Sequence, residues 1–305
     1  MNKHPHAACI KIYAKPDQFR VTARGEISQK NSSIVSKTLP EESVNAFFFI
    51  SHYNDGQLLM TYSIVAKIPE TNEVGIAVAS RFFAWGAFVL YITQDTVIAS
   101  QAFVNPLWGN RSLDLLQQDI LFEDVLSILK DEDLAREARQ FHGISKFGEI
   151  VQHTGTECVD WAGHVKGENV SVAGNMLASP EVIEETLEAW DANANIAFAE
   201  RLLLTMEAGE AAGGYKRGKQ AAAIKIHHGQ PYPELDLRVD DHADPLRELR
   251  RLLRVADERY MIFKTALPTT DNFSGMVDRG PLDQAIAKAE KEKQKNGYIR
   301  PSYSN

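Results

Sequence analysis

Thr61 is the residue of this chain whose type and position could carry out chemistry by itself. It opens the segment 61–68, which is rich in β-branched and apolar residues, and a polar turn at 69–73 leads into a second such segment at 74–80. This pattern predicts two paired strands. If the mature protein begins at Thr61, the hydroxyl is a nucleophile and the α-amine, whose pKa is near ~8 in peptides, is the adjacent base. The ordinary interpretation is a threonine that opens a strand because of its β propensity.

The residues before Met60 lack the periodicity of the segments that follow. Their short apolar run at 46–51 cannot span a bilayer, which takes about 20 apolar residues, and it fits a secretory signal poorly. Three interpretations remain open: a start codon assigned too far upstream, a propeptide removed on maturation, or a loosely ordered extension. We favour the first, and we place the domain boundaries at 1–59, 60–256 and 257–305.

Composition and charge exclude several classes of protein. Apolar residues make up 44% and charged residues 24%, which is ordinary for a globular chain long enough to bury a core without disulfides or metals. A net charge of −8 provides no electrostatic footprint for nucleic acid, and no segment predicts a membrane span. With only two cysteines, Cys9 and Cys158, a disulfide framework is excluded and a reducing cytoplasm is expected.

The order of predicted elements favours a layered α+β fold over a doubly wound nucleotide-binding fold. Paired strands come first, then helices, then further strands and a helix. The helix that begins at Pro180 is predicted to be capped by Ser179. The predicted strands lie at 61–68, 74–80, 88–92, 96–103, 141–145, 149–153, 221–226 and 235–239, and the other predicted helices at 112–119, 122–129, 197–207 and 245–256.

Three clusters of polar residues contain the side chains that an active site uses. They comprise 158–164 with 174–177, then 238–245, and finally Ser80 and Arg81 with Gln101 and Asn105. His164 with 240–242 has the side chains of a metal site, but no pair has the spacing of a ligand motif. No nucleotide or other cofactor motif is present, so we expect neither a metal nor a cofactor. The glycine-rich stretch 209–218, with basic Lys216 and Arg217, is either an anion clamp or, more simply, a helix C-cap and turn.

A series of segments, in order along the chain, resembles the family known as domain of unknown function 1028. The segments are TYSIVA at 61–66, GIAVASRFFA at 75–84, SQAFVNP at 100–106, WAGH at 161–164, GNMLA at 174–178, EAGEAAGG at 207–214 and LDLRVDDH at 235–242. Members of that family typically begin Met-Thr-Phe-Ser-Ile-Val-Ala, which this chain matches from Met60 with Tyr62 in place of phenylalanine. The resemblance covers about residues 61–256. Because the family is grouped with the N-terminal nucleophile (Ntn) hydrolases, it implies a four-layer αββα sandwich.

The resemblance also implies hydrolysis of an amide through an acyl-enzyme on Thr61, with the α-amine as base and N–H groups holding the oxyanion. Asn175, which follows Gly174 and a strand-like run, is the first candidate for the oxyanion donor, and Asn105 is the second. Asparagine is also a common turn residue that satisfies its own backbone, which is the ordinary interpretation of both.

The candidates for substrate binding are Arg81, Gln101, His164 and Asp240. A cation at Arg81 is suited to lower the pKa of the amine or to bind a substrate carboxylate, and the ordinary alternative is a buried ion pair with Asp240 or Asp160. His164 is more simply a hydrogen-bonding structural residue, because the mechanism already has its base.

Two functions therefore compete. The first is hydrolysis of an amide or ureido C–N bond in a small polar substrate, with an N-terminal Thr61 as nucleophile. The alternative is a non-catalytic protein of the same fold that binds a small ligand or a protein partner. Aromatic residues in 82–85 and 105–108 predict an exposed apolar patch and therefore a homodimer. Neither a nucleic acid nor a membrane is expected as a partner.

Overall fold

The computed structural model describes residues 60–214 and 218–303, together with two short strands, β1 (Phe19–Val21) and β2 (Ile27–Gln29). The chain divides into two compact units, 1–58 and 59–305. In the first unit β1 and β2 pair antiparallel, and the rest of the predicted leader lies outside the described residues. The second unit contains all the remaining elements.

A six-stranded antiparallel sheet forms the centre of the second unit. Its order is β12-β11-β4-β3-β10-β9. The strands are β3 (Thr61–Ile68), β4 (Glu73–Ser80), β9 (Trp161–Gly167), β10 (Val170–Leu177), β11 (Ala221–His228) and β12 (Leu235–Val239). The predicted hairpin of β3 and β4 is confirmed, since Thr61 pairs with Ser80 and Ile68 with Glu73.

A second, four-stranded antiparallel sheet has the order β5-β6-β7-β8. The strands are β5 (Leu90–Ile92), β6 (Val97–Ala102), β7 (Arg139–Ile144) and β8 (Ile150–Thr154). The strands predicted at 141–145 and 149–153 are confirmed, and β7 and β8 pair antiparallel as a hairpin. The predicted strand at 88–92 is wrong in its first part, because Gly86–Val89 forms a short helix, α1, and only 90–92 is extended. A short apolar run does not distinguish these two states by its pattern.

The longer helices follow the predicted order. They are α2 (Pro106–Gln117), α3 (Phe122–Glu132), α4 (Glu181–Ala192), α5 (Phe198–Gly209) and α6 (Pro245–Ala256), and they are followed by α7 (Tyr260–Phe263) and α8 (Gly280–Lys295). The bounds of α6 are as predicted, and Asp244 caps it by accepting from Arg247 N. The predicted Ser179 cap is wrong, since Pro180 is the N-cap of α4 and has no side chain able to accept a hydrogen bond. In the part of the chain that the structure describes, no helix has the length and apolar character needed to cross a bilayer.

Alternating side chains of the strands divide the interior into three apolar clusters. Tyr62 and Ile64 of β3 join the first, between the six-stranded sheet and helices α4, α5 and α6. Val65 joins the second, between the two sheets. Phe141 of β7 joins the third, between the four-stranded sheet and helices α2 and α3. Both faces of each sheet are therefore covered.

The segment after Asp257 lies against α6. Leu282 of α8 is buried, Tyr298 Oη donates to the Arg254 carbonyl at 3.2 Å, and Arg251 donates to the Pro301 carbonyl at 2.7 Å. The guanidinium of Arg251 also stacks on the ring of Tyr303. These contacts hold the C-terminal segment on the side of the protein away from the two sheets' shared interior.

Candidate active site

Thr61 lies at the first position of β3, where the six-stranded sheet ends. It is 3% exposed, and it pairs with Ser80 of β4 on one side and with Asn175 of β10 on the other. Residues far apart in the sequence therefore become neighbours at this end of the sheet. The same end carries Ala221, which pairs with Ser80. Members of two of the polar clusters, Ser80 and Asn175, meet here.

The hydroxyl of Ser80 connects Thr61 to the preceding peptide bond. Ser80 Oγ lies 2.9 Å from Thr61 Oγ1 and donates to the Met60 carbonyl at 3.0 Å. Because Ser80 Oγ donates its single proton to the Met60 carbonyl, it accepts a hydrogen bond from the Thr61 hydroxyl. It also accepts from Phe82 N at 3.2 Å. The Met60 carbonyl accepts a second bond from Arg81 N at 3.1 Å. Sequence reasoning placed Ser80 in a cluster but assigned it no role.

Asn175 lies beside Thr61 at an irregular point of β10. Its side chain is 1% exposed, and the pairing of β10 with β9 shifts register between Gly174 and Leu177. Met176 adopts φ 55°, a left-handed conformation that is uncommon outside glycine. Such bulges re-aim side chains and occur often beside active sites. The bulge explains how a strand residue presents its amide at the sheet end.

Gln140 fixes the orientation of the Asn175 amide. Gln140 Nε2 donates to the carbonyls of Gly163 at 3.0 Å and Gly174 at 2.9 Å, and peptide oxygens can only accept. Gln140 Oε1 therefore faces the other way, where it accepts from Asn175 Nδ2 at 3.0 Å and from Gln101 Nε2 at 2.8 Å. An amide nitrogen carries two hydrogens, so Asn175 has a second N–H with which to donate.

The chain of hydrogen bonds continues from Gln101 through the interior between the sheets. Ser63 Oγ donates to Gln101 Oε1 at 2.8 Å, so His142 Nε2 must donate to Ser63, also at 2.8 Å. His142 Nδ1 then accepts from Ser171 Oγ at 2.8 Å. Burial, with a smaller contribution from His164, lowers the pKa of His142 to about 3, so the ring is neutral. Since amides do not carry protons at neutral pH, this chain fixes orientations and is no proton wire.

Two predicted site residues have other roles in the structure. Asn105 is the N-cap of α2: its Oδ1 accepts from Leu107 N and its Nδ2 donates to Asp133, each at 3.0 Å. Gln101 is fully buried, with its amide engaged by Ser63 and Gln140. Gln101 therefore orients its neighbours in this structure, and its contact with substrate stays a prediction.

The remaining predicted substrate-binding residues lie at the surface or beside it. His164 is exposed as a whole residue, with Nδ1 2.8 Å from Thr154 Oγ1, and partial desolvation of its ring is the main cause that lowers its pKa. Asp240 forms an ion pair with Arg238 at 2.7 Å. Arg81 lies against the end of the glycine-rich stretch, since a Cβ on Gly218 would stand 3.1 Å from its Nε, and Gly218 has φ 91°. The backbone approaches Arg81 this closely because the residue is glycine.

The glycine-rich stretch begins with a π-helical turn at Glu210–Gly214, where Gly213 has φ 125°. This geometry is that of a helix C-terminus, as the simpler interpretation expects. Lys216 and Arg217 of the anion clamp lie outside the described residues.

Sequence reasoning missed one titratable group in this stretch. Burial raises the pKa of Glu210 to about 7, against the opposing effect of Lys219 at 3.4 Å. Lys219 also pairs with Asp244 at 2.7 Å. Among the residues that the structure describes, no group of three or more His, Cys, Asp or Glu side chains is arranged to hold a metal ion.

Comparison with known proteins places the chain in a family. A family model described as a family of unknown function, DUF1028, matches residues 61–249. A crystal structure of a protein from Silicibacter pomeroyi, with the same family description, is 30% identical in sequence with a TM-score of 0.67. The match covers 72% of this chain and 97% of that chain. No curated protein matches the chain. The chain therefore belongs to the family of unknown function DUF1028.

Proposed function

We propose that this protein is an Ntn hydrolase that cleaves an amide or ureido C–N bond in a small polar substrate, with Thr61 as the N-terminal nucleophile. The observation that carries the proposal is the position of the Thr61 hydroxyl. It lies at the end of a central strand and is hydrogen-bonded to Ser80, and the backbone of Thr61 pairs with that of Asn175. A four-layer αββα sandwich of the Ntn type is part of the proposal, and three apolar clusters that alternate with two sheets support it.

The proposed reaction uses Thr61 for both nucleophile and base. The free α-amine takes the proton of the hydroxyl as Oγ1 attacks the substrate carbonyl, and the carbonyl electrons move onto oxygen. Collapse of this oxyanion breaks the C–N bond, the amine product leaves with the proton, and an ester remains on Oγ1. Water, activated by the same amine, then hydrolyses the ester and frees the hydroxyl.

We assign stabilisation of the oxyanion to three donors. Ser80 Oγ and Arg81 N already donate to a carbonyl oxygen, that of Met60, and Asn175 has its second N–H. Preorganised donors of this kind are worth about 10²–10³ in rate for each one removed. We keep Arg81 as the candidate for a substrate carboxylate, because its guanidinium lies at this end of the sheet beside Gly218.

The alternative, a non-catalytic binding protein, makes a different prediction about the N-terminus. In the 305-residue chain the nitrogen of Thr61 belongs to the peptide bond with Met60, so it has no basic lone pair. The hydrolase requires a chain that starts at Thr61, whereas a binding protein does not. The intact mass of the protein isolated from its own source distinguishes them: a start at Thr61 supports the hydrolase, and a stable chain that retains Met60 refutes it.

We expect hydrolysis to be independent of metal ions. Thr61 and its amine supply the nucleophile and the base, so no metal-bound water is needed. Turnover measured before and after EDTA should agree within error. Loss of activity that one divalent ion restores would contradict this prediction and would point to His164 with the segment 240–242.

We also propose a homodimer, located in the cytoplasm as the low cysteine usage suggests. Phe82, Phe83 and Leu107 are exposed, as the prediction requires, with Phe83 at 60%. The prediction is wrong for Trp108, which is buried and donates to Asp133 at 2.9 Å. Analytical ultracentrifugation should show a species of twice the chain mass, and Phe83→Ser should shift it toward the monomer. A wild-type protein that sediments only as a monomer would contradict the dimer.

A further inference from the structure

Met60 occupies the position of an acyl group on Thr61. Its side chain is 3% exposed and packs in the apolar cluster between the six-stranded sheet and the helices. Its carbonyl accepts from Ser80 Oγ at 3.0 Å and from Arg81 N at 3.1 Å. In chemical terms Met60 is an acyl chain with a polarised carbonyl, joined to the nitrogen of the proposed nucleophile.

An acyl group on the hydroxyl of Thr61 would lie close to the position that the Met60 acyl group occupies on the Thr61 nitrogen. The nitrogen and the hydroxyl are on neighbouring carbons, so a five-membered ring joins the two acyl positions and their carbonyl carbons lie close together. Ser80 Oγ spans the two positions, since it lies within hydrogen-bond distance of both Thr61 Oγ1 and the Met60 carbonyl. The contacts of Met60 therefore indicate the surroundings of a substrate acyl chain.

The alternation of side chains along β3 shows on which face of the six-stranded sheet the Met60 side chain lies. Side chains alternate along a strand, so Thr61 and Ser63 face the four-stranded sheet, while Met60 and Tyr62 face the helices. In a chain that begins at Thr61 no residue precedes β3, so an acyl chain on Oγ1 reaches the helix side around the free start of this strand. A chain that begins at Thr61 lacks the Met60 side chain and leaves a space of that size in an apolar cluster. Well-packed interiors do not fill such a space completely by relaxation.

We infer that the acyl half of the substrate is an unbranched apolar chain about as long as hexanoyl, bound in the space that Met60 fills in the 305-residue chain. A hexanoyl group has the length of the acyl group of methionine, with a methylene in place of sulfur. This inference rests on the proposed function and adds the class of acyl group. The polar character of the substrate then belongs to its amine half.

The experiment uses the chain that starts at Met60, which contains both sheets and all three apolar clusters. Residues 59–305 form one compact unit, and the related crystal structure is matched over 97% of its own chain, which supports independent folding of this part. Mass spectrometry first confirms that methionine has been removed. The probes are the p-nitroanilides of acetic, butyric, hexanoic, decanoic and succinic acids, and kcat/KM is measured for each.

We expect kcat/KM to rise about 4-fold for each buried methylene, or about 200-fold from acetyl to hexanoyl. It should fall for decanoyl, which is too long, and succinyl should be poorer than acetyl, since its carboxylate would enter an apolar space. Ser80→Ala should lower kcat for every probe by about 10²-fold and keep the order of preference, because it removes a carbonyl donor and leaves the acyl space.

Binding of simple amides to the Thr61→Ala variant tests the acyl space independently of the proposed reaction. That variant cannot form the ester, so calorimetric titration with hexanamide and acetamide measures the space alone. Tighter binding of hexanamide by at least ~30-fold supports the inference even if wild type turns over no probe, an outcome that refutes only the hydrolase. Equal affinities would overturn the inference. Faster turnover of the acetyl or succinyl probe than of the hexanoyl probe would also overturn the inference. Cleavage of a ureido compound with no turnover of any anilide would do the same. The proposed hydrolase would survive both of these outcomes.

Discussion

Thr61→Ala, in a chain that starts at Met60, should lower kcat by at least about 10³-fold, as removal of a covalent nucleophile does. Alanine lacks the hydroxyl that attacks the substrate, and its α-amine alone cannot form the ester. Thr61→Ser should retain part of the rate, because it keeps the hydroxyl. The 305-residue chain should be inactive unless it is cut before Thr61, because the acylated nitrogen is not basic and Met60 fills the site. Ammonia or amine release measures the rate.

The expected loss is kinetic and not structural. Thr61→Ala removes one buried hydrogen bond, to Ser80, which is worth about 1 kcal/mol. Thr205 provides the matched control, since it is a fully buried threonine whose Oγ1 donates to the Arg201 carbonyl at 2.7 Å. Thr205→Ala should lower the Tm by a similar amount and leave kcat unchanged. An alanine variant at Thr61 that is as fast as wild type, or a fully active 305-residue chain, would refute the N-terminal nucleophile and favour the binding protein.

The free energy of unfolding should fall by about 4 kcal/mol between pH 6.5 and pH 3 because of His142 alone. Burial lowers the pKa of this histidine from 6.5 to about 3 in the folded protein. Between these values the unfolded chain binds a proton that the folded chain does not, so stability decreases as the pH falls. Above pH 6.5 the contribution is fully present, and below about pH 3 both states are protonated and the dependence on His142 ends.

Two variants isolate this contribution from other groups. His142→Gln keeps one donor and one acceptor but does not titrate, so its unfolding free energy should depend less steeply on pH over that range. Ser63→Ala removes a hydrogen bond of His142 and keeps the imidazole, so it should lower stability and retain the steep dependence. Urea unfolding at several pH values supplies the comparison. Equal slopes for wild type and His142→Gln would show that His142 is not held neutral by burial.

The strands and helices that depend on local pattern could be predicted from the sequence. The hairpin of β3 and β4 has apolar, β-branched segments on both sides of a polar turn, and α6 has leucines at helical spacing behind an Asp-Pro entrance. These signals are strong because each element is amphipathic or bounded by turn residues. The family was identifiable for a related reason, since its segments keep their order from Thr61 onward.

The local pattern failed where the surroundings of a residue come from distant parts of the chain. Asn105 and Asn175 both follow strand-like segments, and only the fold shows that Asn105 caps α2 while Asn175 lies beside Thr61. Trp108 looks like part of an exposed patch, yet α2 turns it inward to reach Asp133. No neighbouring residue in the sequence indicates the different roles of the two asparagines or the burial of Trp108.

The sequence by itself determined the elements, the family and the choice of Thr61 as the residue to examine. Tertiary structure decided which groups accompany it. Gln140 and His142 are two polar residues in a strand, and their role exists only because β10 and β3 of the other sheet supply Asn175, Ser171 and Ser63 as partners. The physical reason is that a hydrogen bond has a short range and a direction, so its energy depends on where the backbones of separate strands cross and leaves no periodicity along the chain.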